Sequence, residues 1–386
     1  MMDHRICAAD AEKFYAAQPF TVELLDELTG RIAVTCREKL GRVMGKWQLE
    51  VDGKRASFGQ FLLNDLAAGE KREYLLSVEV PDLYYGQCAI LIIRFYDEKN
   101  QPVAGESFPL PPPAYLMPPV GKEQFFTGVR FDVSQAIISS GKLSAVIDAN
   151  GMRELRYNGE KLLLSGPRIA LWRVGMVPDE LKDLALDRIR ISTDRFVSDG
   201  KSVECHALAL PKKMEMDELE FTQRFTPQND GSIRYDAEFV VPECFAGIPR
   251  LGVMLRLPGA MKQITFLGKG PFENYPGSRA AVFSEYTIDL DEMYPAYADP
   301  RAAGCRSEVR RVEFSGADGR KLQIIAGSSF SFSALPFSEF AIEDAAIAGK
   351  MPAADGDLHL HLDCRIGESQ PVRAGLCRMT LFFKAV

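Results

Sequence analysis

Residues 358 to 362, Leu-His-Leu-His-Leu, alternate strictly between apolar and polar side chains. A period of two places the leucines on one face of an extended chain and the histidines on the other, as in a half-buried β-strand. The same alternation occurs at residues 46–51, Lys-Trp-Gln-Leu-Glu-Val, and at residues 189–192, Ile-Arg-Ile-Ser. These runs predict that strands dominate the fold.

Turn signals separate the strand-like runs at short intervals. An Asx-Gly pair between two such runs favours a tight hairpin, and therefore antiparallel pairing rather than βαβ units. Helical periodicity is limited to Ala8 to Ala17, Pro178 to Leu184 and Ser338 to Ala346. We therefore predict an all-β class. The pairs are Asp52-Gly53, Asn150-Gly151, Asn158-Gly159, Asp199-Gly200 and Asp318-Gly319.

The sharpest change of composition is a proline-rich stretch, and it suggests where the domains divide. Six prolines lie between residues 108 and 119, where they disfavour a central strand and favour a stiff linker. We predict an N-terminal segment (1–19), an immunoglobulin-like β-sandwich (20–108), the linker (109–124) and one large β-domain (125–386). The first sandwich lacks the Cys-Trp-Cys pattern of antibody domains.

Composition excludes several classes of protein. With 46 basic and 53 acidic residues the formal net charge is -7, so a nucleic-acid partner is not expected. No run of 18 apolar residues is present, so we expect no membrane span, and no secretory signal is visible at the start. The eight cysteines show no CxxC spacing. They predict free thiols and a cytoplasmic location.

Few motifs of enzyme chemistry are present. The sequence contains four histidines and has no GxSxG, P-loop or GxGxxG element. His359 and His361 share a strand face and could form a metal pair, but we favour a structural role because Asp363 is the only further ligand type nearby on that face. The acidic residues between Glu273 and Glu308 are interpreted as solvated surface. No catalytic residue, metal or cofactor is predicted.

The most unusual stretch chemically is residues 268–279, Gly-Lys-Gly-Pro-Phe-Glu-Asn-Tyr-Pro-Gly-Ser-Arg. Its glycines permit close backbone approach, and Glu273, Asn274, Tyr275 and Arg279 supply donors, acceptors and a stacking face suited to a polyol. This pattern is typical of a sugar-binding loop. The alternative, that Glu273 and Asn274 only tie the loop to neighbouring backbone, stays open.

This stretch also carries a family resemblance. Gly-x-Gly-Pro-x-Glu-Asn-Tyr-Pro (268–276), Met-Tyr-Pro-x-Tyr (293–297) and Gly-Cys-Arg-Ser-Glu (304–308) occur in this order. Together they resemble the C-terminal domain of β-galactosidases of glycoside hydrolase family 2. The resemblance extends upstream through Tyr-Asn-Gly-Glu-Lys-Leu-Leu (157–163) and Leu-Trp-Arg (171–173). It covers nearly the whole chain, and it is strongest between residues 125 and 335.

The resemblance implies a large antiparallel supersandwich of the galactose mutarotase-like type, preceded by an immunoglobulin-like sandwich. It also implies that the catalytic glutamates and metal ligands belong to a TIM barrel N-terminal to this chain, for which no (βα)8 pattern exists here. The expected role is a non-catalytic C-terminal portion or small subunit that partners the barrel and edges a galactoside-like sugar site. Candidate sugar contacts are Glu273, Asn274, Tyr275, Arg279, Trp172, Arg173, Tyr294, Tyr297, Arg306 and Glu308.

Departures from the family pattern bear on specificity. After Arg173 the family's Ala-Pro-x-Asp-Asn-Asp loop is replaced by Val-Gly-Met-Val-Pro-Asp-Glu (174–180). Near the C-terminus the family places a Trp in a Gly-rich loop, whereas residues 366–372 read Ile-Gly-Glu-Ser-Gln-Pro-Val. The arginine after Tyr275 is displaced by one position to Arg279. These differences indicate a diverged member.

Two other functions are weighed against the non-catalytic role. One is an autonomous carbohydrate-binding module, and the other, disfavoured by the scarcity of histidine, is an aldose 1-epimerase-like enzyme. Core packing is favoured over sugar contact for Trp172, Tyr294 and Tyr297, because large aromatic side chains dominate cores. Which sugar is involved, and whether the chain forms a homo-oligomer, are left open by the sequence.

Overall fold

The computed structural model describes residues 17–52, 54–84, 87–111, 115–116, 125–213, 216–294, 300–367 and 370–386. The chain divides into two compact units. Unit 1 comprises Met1–Pro119, Gly268–Pro271 and Arg279–Glu285, and unit 2 comprises Val120–Leu267, Phe272–Ser278 and Tyr286–Val386. With 57% strand and 7% helix, the structure confirms the all-β prediction.

Unit 1 contains two antiparallel sheets and one short parallel pair. The first sheet has the order β1-β2-β5, the second has the order β4-β3-β7-β8, and β6 pairs with β9. The strands are β1 (Phe20–Asp26), β2 (Arg31–Cys36), β3 (Val43–Val51), β4 (Lys54–Leu63), β5 (Lys71–Leu75), β6 (Leu83–Tyr84), β7 (Ala89–Tyr96), β8 (Pro102–Leu110) and β9 (Tyr115–Leu116).

The core of unit 1 is built from alternate residues of these strands. Phe20, Leu49 and Phe95 are fully buried, and the rings of Phe20 and Phe95 meet edge to face at 4.7 Å between centroids. Strand β8 runs through Pro109, beyond the predicted end of the first domain at residue 108. Proline is accommodated there because β8 is an edge strand of its sheet. The immunoglobulin-like assignment stays a prediction.

Unit 2 begins with a five-stranded meander and continues into a twelve-stranded sheet. The meander follows chain order from β10 to β14. The strands are β10 (Thr127–Phe131), β11 (Gln135–Ser140), β12 (Leu143–Asp148), β13 (Gly151–Tyr157), β14 (Glu160–Leu163), β15 (Ser165–Ala170), β16 (Arg190–Ser198), β17 (Val203–Leu210), β18 (Leu219–Pro227), β19 (Ile233–Val241), β20 (Arg250–Pro258), β21 (Gln263–Gly270), β22 (Val282–Asp289), β23 (Arg306–Ser315), β24 (Lys321–Leu335), β25 (Asp357–Ile366) and β26 (Gly375–Ala385).

The long sheet has the order β15-β20-β25-β24-β26-β19-β18-β17-β16, and in addition β23 pairs with β24, β21 with β23, and β22 with β21. In the division into units, residues 268–270 of β21 and residues 282–285 of β22 belong to unit 1. In β17, β18 and β19 buried residues alternate with more exposed ones, as one covered sheet face requires. Strand β25 differs, since residues 358–363 are buried on both faces. The histidines of the Leu-His-Leu-His-Leu stretch are therefore enclosed, although alternation alone predicted a half-buried strand.

Strand β24 changes partners along its length. Its first half pairs with β26, from Leu322 opposite Ala385 to Ala326 opposite Leu381. Its second half pairs with β25, from Ser331 to Leu335. Because β25 and β26 use the same edge of β24, they must diverge between residues 327 and 330. We call this place the fork.

In the part of the chain that the structure describes there is one α-helix, α1 (Glu339–Ala348), and it confirms the helical segment predicted near residues 338–346. Ser338 caps its start, because the Ser338 hydroxyl oxygen accepts a hydrogen bond from the Ala341 amide at 3.2 Å. Gly349 ends it with φ +61°, a left-handed conformation that favours glycine. The second predicted helical segment forms a 3-10 helix, Asp179–Leu184. The helical segment predicted from Ala8 to Ala17 lies outside the described residues, except for Ala17.

Within the described ranges, no helix is long and apolar enough to cross a membrane.

Candidate functional site

The unusual loop after β21 is held in unit 2 by a second segment, residues 304–307, that leads into β23. The Asn274 amide donates to the Cys305 carbonyl at 2.9 Å. The Asn274 side-chain oxygen accepts from the Ser307 amide at 3.1 Å and from the Ser307 hydroxyl at 2.6 Å, and its nitrogen donates to the Phe272 carbonyl at 2.9 Å. These contacts fit the loop-locking interpretation of Asn274.

A chain of hydrogen bonds links three of the sequence-predicted residues. Arg173 Nη2 donates to the Tyr275 hydroxyl at 2.6 Å, and that hydroxyl donates to Glu273 Oε1 at 2.9 Å. The Gly304 amide donates to the same carboxylate oxygen at 3.1 Å. Arg173 and Glu273 are buried, whereas Tyr275 is half-buried, and burial raises the pKa of the Tyr275 hydroxyl well above its usual value.

The Asn274 contacts make a stability prediction. We expect Asn274→Ala to lower the free energy of unfolding by about 1–3 kcal/mol, because buried Ser307 groups lose their acceptor. Chemical denaturation measures the loss. Asn150→Ala, at an exposed turn position, is the control and should change stability by less than about 0.5 kcal/mol. Equal effects of the two substitutions would contradict the locking role.

The remaining candidates have other surroundings. The Trp172 ring packs on Phe340 at 5.0 Å between centroids, and the Tyr294 ring meets Phe337 at the same separation. Both rings contact an apolar cluster formed by Val174, Ala302, Leu335, Phe337 and Ile342. Core packing therefore accounts for much of the surface of both aromatic side chains.

Arg306 and Glu308 lie at the start of β23. Arg306 is buried and donates to the carbonyls of Gly304 and Cys305 at 3.2 and 3.3 Å. Glu308 has φ +54° at an irregularity of the β23–β24 register, a strained conformation for a residue with a side chain. Arg279 is exposed and belongs to unit 1. Tyr297 lies outside the described residues.

A second cluster of buried charges was not singled out from the sequence. Arg250 at the start of β20 is in ion-pair contact with Glu339 at the start of α1. Arg250 Nε also lies 2.9 Å from Asp363 Oδ1, as a charge contact rather than a well-directed hydrogen bond. His361 Nε2 lies 3.7 Å from Glu339 Oε1. All four side chains are buried, so we call them the buried ion cluster.

Burial controls the protonation of this cluster. It raises the pKa of Asp363 to about 6 against the opposing charge of Arg250, and it raises the pKa of Glu339. Burial, assisted by the charge of Arg250, holds the pKa of His361 well below its usual value. The charge of Arg173 also acts on all three titratable groups, so this arginine couples the cluster electrostatically to the Tyr275–Glu273 chain.

Gly252 allows Asp363 to approach β20. A Cβ at Gly252 would lie 2.7 Å from Asp363 Oδ1 and 2.3 Å from the Leu362 carbonyl oxygen. The β20–β25 register shifts at this point, with Gly252 opposite Asp363 and Leu251 opposite Arg365. Glycine is required here for close packing of two chains rather than for a turn.

The two histidines of β25 that were considered as a metal pair, His359 and His361, each lie near a carboxylate. His359 Nε2 lies 2.8 Å from Asp355 Oδ2, and His361 faces Glu339. In the part of the chain that the structure describes, no group of three or more His, Cys, Asp or Glu side chains is arranged to hold a metal ion.

Comparison with protein families identifies the chain. Residues 140–367, which contain the loop at residues 268–279, the segment at residues 304–307 and the whole buried ion cluster, match the β-galactosidase small chain. The chain belongs to the β-galactosidase small chain family. The resemblance drawn from the sequence motifs is thereby confirmed.

The relatives of this chain are much longer proteins. The β-galactosidase of Priestia megaterium is 25% identical over 263 residues, which are 66% of this chain and 25% of that protein. The β-galactosidase of Oenococcus oeni is 33% identical over 97 residues, which are 24% of this chain and 9% of that protein. The chain thus spans about a quarter, or less, of these relatives.

Solved structures that align with this chain include two epimerases. A putative aldose 1-epimerase from Escherichia coli K12 is 8% identical, with 68% of this chain and 99% of that chain covered and a TM-score of 0.37. The galactose 1-epimerase of Lactobacillus acidophilus NCFM is 10% identical, with the same coverage and a TM-score of 0.36.

Proposed function

We propose that this chain is the non-catalytic C-terminal portion, or small subunit, of a family 2 glycoside hydrolase of the β-galactosidase type. It associates with a TIM-barrel component and contributes residues to the border of that component's sugar site. The observation that carries the proposal is the family match over residues 140–367, in a chain that covers 25% of a β-galactosidase relative. The remaining three quarters of such a protein supplies the partner.

An apolar surface on α1 supports the association. Phe340 and Ile347 lie seven residues apart, and therefore on one face of the helix, with 55% and 82% of their surface exposed. Met351, just beyond the helix, is 51% exposed, and Trp172 packs on Phe340. Adjacent exposed apolar side chains of this size favour a protein partner. We propose the TIM-barrel component as the occupant of this α1 surface.

The part of this chain that we propose borders the sugar site is the hydrogen-bonded set formed by Arg173, Tyr275 and Glu273. Tyr275 is the half-buried member of a hydrogen-bonded set whose other two side chains are buried, so its ring is the part that a galactoside could contact. Arg173 and Glu273 then position the tyrosine. The seven cysteines that the structure describes are free thiols, which supports the proposed cytoplasmic location.

Hydrolysis of a chromogenic β-galactoside tests the proposal. The purified chain is assayed alone and mixed with the TIM-barrel polypeptide from the same source, and we expect activity only in the mixture. Activity of the chain alone, or no gain on mixing, would contradict it. Calorimetric heat with free galactose would instead favour the carbohydrate-binding module, and accelerated mutarotation would favour the epimerase.

A substitution on the α1 surface tests the docking site. Ile347→Lys should weaken complementation about tenfold, which corresponds to about 1.4 kcal/mol of association free energy. Lysine is chosen because a cation is tolerated in the last turn of a helix. Val133→Lys, at another apolar position of unit 2 that is 95% exposed, should leave complementation unchanged. If only the Val133 variant is impaired, the docking surface lies elsewhere.

A further inference from the structure

Two cysteines from different strands meet at the fork. Cys364 on β25 and Cys377 on β26 are thirteen residues apart in sequence, and their Sγ atoms are 3.3 Å apart. Both are half-buried free thiols. A disulfide needs Sγ atoms about 2.05 Å apart, so bond formation requires them to approach by little more than 1 Å.

The strand geometry explains why these thiols face each other. The register of β20 with β25 passes from Leu251 opposite Arg365 to Gly252 opposite Asp363, so Cys364 is the extra residue of a β-bulge. A bulge re-aims its side chain, and Cys364 Sγ contacts the Leu251 carbonyl at 3.0 Å. Cys377 lies beyond the end of the β24–β26 pairing at Ala326 and Leu381. Both thiols therefore sit where β25 and β26 diverge.

We propose that Cys364 and Cys377 form a peroxide-reactive dithiol that closes to an intramolecular disulfide across the fork. The site is independent of the proposed glycosidase role. Its oxidant is hydrogen peroxide.

The two thiols have different roles in this reaction. The hydrogen bond with Cys364 lowers the pKa of Cys377 to about 7, whereas the contact with Cys377 and burial raise the pKa of Cys364 well above its usual value. Cys377 is therefore the thiolate that attacks peroxide, and Cys364 is the resolving thiol. By contrast, burial raises the pKa of Cys205 and of Cys305 to about 12, which keeps both unreactive near neutral pH.

The chemistry balances in two steps. The Cys377 thiolate attacks one peroxide oxygen, the O–O bond breaks, and Cys377 sulfenic acid forms with hydroxide as the leaving group. Cys364 then attacks the sulfenic sulfur, the S–S bond forms, the S–O bond breaks, and hydroxide leaves. The two thiol protons neutralise the two hydroxides. In total the thiols lose two electrons, and one hydrogen peroxide becomes two waters.

The test is peroxide titration of the full, pre-reduced chain. We expect rapid loss of two of the eight thiols, a mass decrease of about 2 Da, and a peptide cross-link between Cys364 and Cys377. The initial rate of thiol loss should increase with pH, with a midpoint near pH 7. Dithiothreitol should restore both thiols. The thermal midpoint of unit 2 should increase on oxidation, since the bond constrains the unfolded chain.

Single substitutions separate this site from general oxidation. Cys377→Ser should abolish the fast phase, and Cys364→Ser should leave a sulfenic acid at Cys377 that reacts with dimedone. Cys244→Ser, at another half-buried free thiol, is the matched control and should retain both the rate and the cross-link. Circular dichroism checks that each variant is folded. An unchanged fast phase in Cys377→Ser, or a cross-link between other cysteines, overturns the proposal.

Discussion

Replacement of Arg250 by methionine is expected to lower the free energy of unfolding of unit 2 by about 3–5 kcal/mol. The guanidinium is the ion-pair partner of both Glu339 and Asp363, and all three side chains are buried. Without it, two carboxyl groups remain in a low-dielectric interior without that counterion. Denaturant titration followed by Trp172 fluorescence in a Trp47→Phe background, where one indole remains, measures the loss.

An exposed pair provides the control for Arg250→Met. Arg378 on β26 lies 2.8 Å from Glu238 on β19, and the two side chains are 68% and 42% exposed. Arg378→Met should therefore cost less than about 1 kcal/mol, because solvent screens the pair. Losses of similar size at the two sites would refute the importance of burial. The Arg250→Met loss should also shrink below pH 5, where protonated carboxyl groups no longer need a counterion.

Replacement of Asp363 by asparagine is expected to change the pH dependence of stability. Burial raises the pKa of Asp363 to about 6, so between pH 4 and pH 6 the folded chain binds a proton that the unfolded chain releases. This group therefore makes stability fall as pH rises through that window. Relative to the parent, Asp363→Asn should gain about 3 kcal/mol between pH 4 and pH 7.

The comparison must be made between variant and parent. Burial lowers the pKa of His361, so below its usual value this residue makes stability fall as pH falls, which opposes Asp363 in the parent. Burial also raises the pKa of Glu339, so this residue, like Asp363, makes stability fall as pH rises. Asp318→Asn is the control of opposite sign, since its hydrogen bond with Arg320 lowers the pKa of Asp318. A constant difference between Asp363→Asn and parent from pH 4 to 7 would contradict the prediction.

The local features of the fold could be predicted from the sequence because they depend on neighbouring residues. Alternation of period two identified the strands, including the stretch at residues 358–362. The segment near residues 338–346 was predicted as a helix, and its serine cap and glycine end are local signals. The loop motif at residues 268–276 lies in a stretch dense in hydrogen bonds, and its role in sugar binding stays a prediction.

The buried ion cluster could not be predicted in this way. Its members come from β20, α1 and β25, and Arg250 is separated from Asp363 by more than a hundred positions. Their contact depends on the β20–β25 register and on the space left by Gly252, and neither is visible in a single sequence. The polar face of β25, His359, His361 and Asp363, was the available signal, but alternation predicted a half-buried strand there and named none of the partners.

The position of β26 constrains the order in which unit 2 can be assembled. In the long sheet, β26 lies between β24 and β19, so Gly375–Ala385 joins a half containing β15, β20, β25 and β24 to a half formed by β19, β18, β17 and β16. During synthesis on the ribosome both halves emerge before the strand that joins them. Until β26 is made, β24 in one half and β19 in the other each have an edge without a partner strand. In this interval the nascent chain is most exposed to mispairing and most in need of a chaperone.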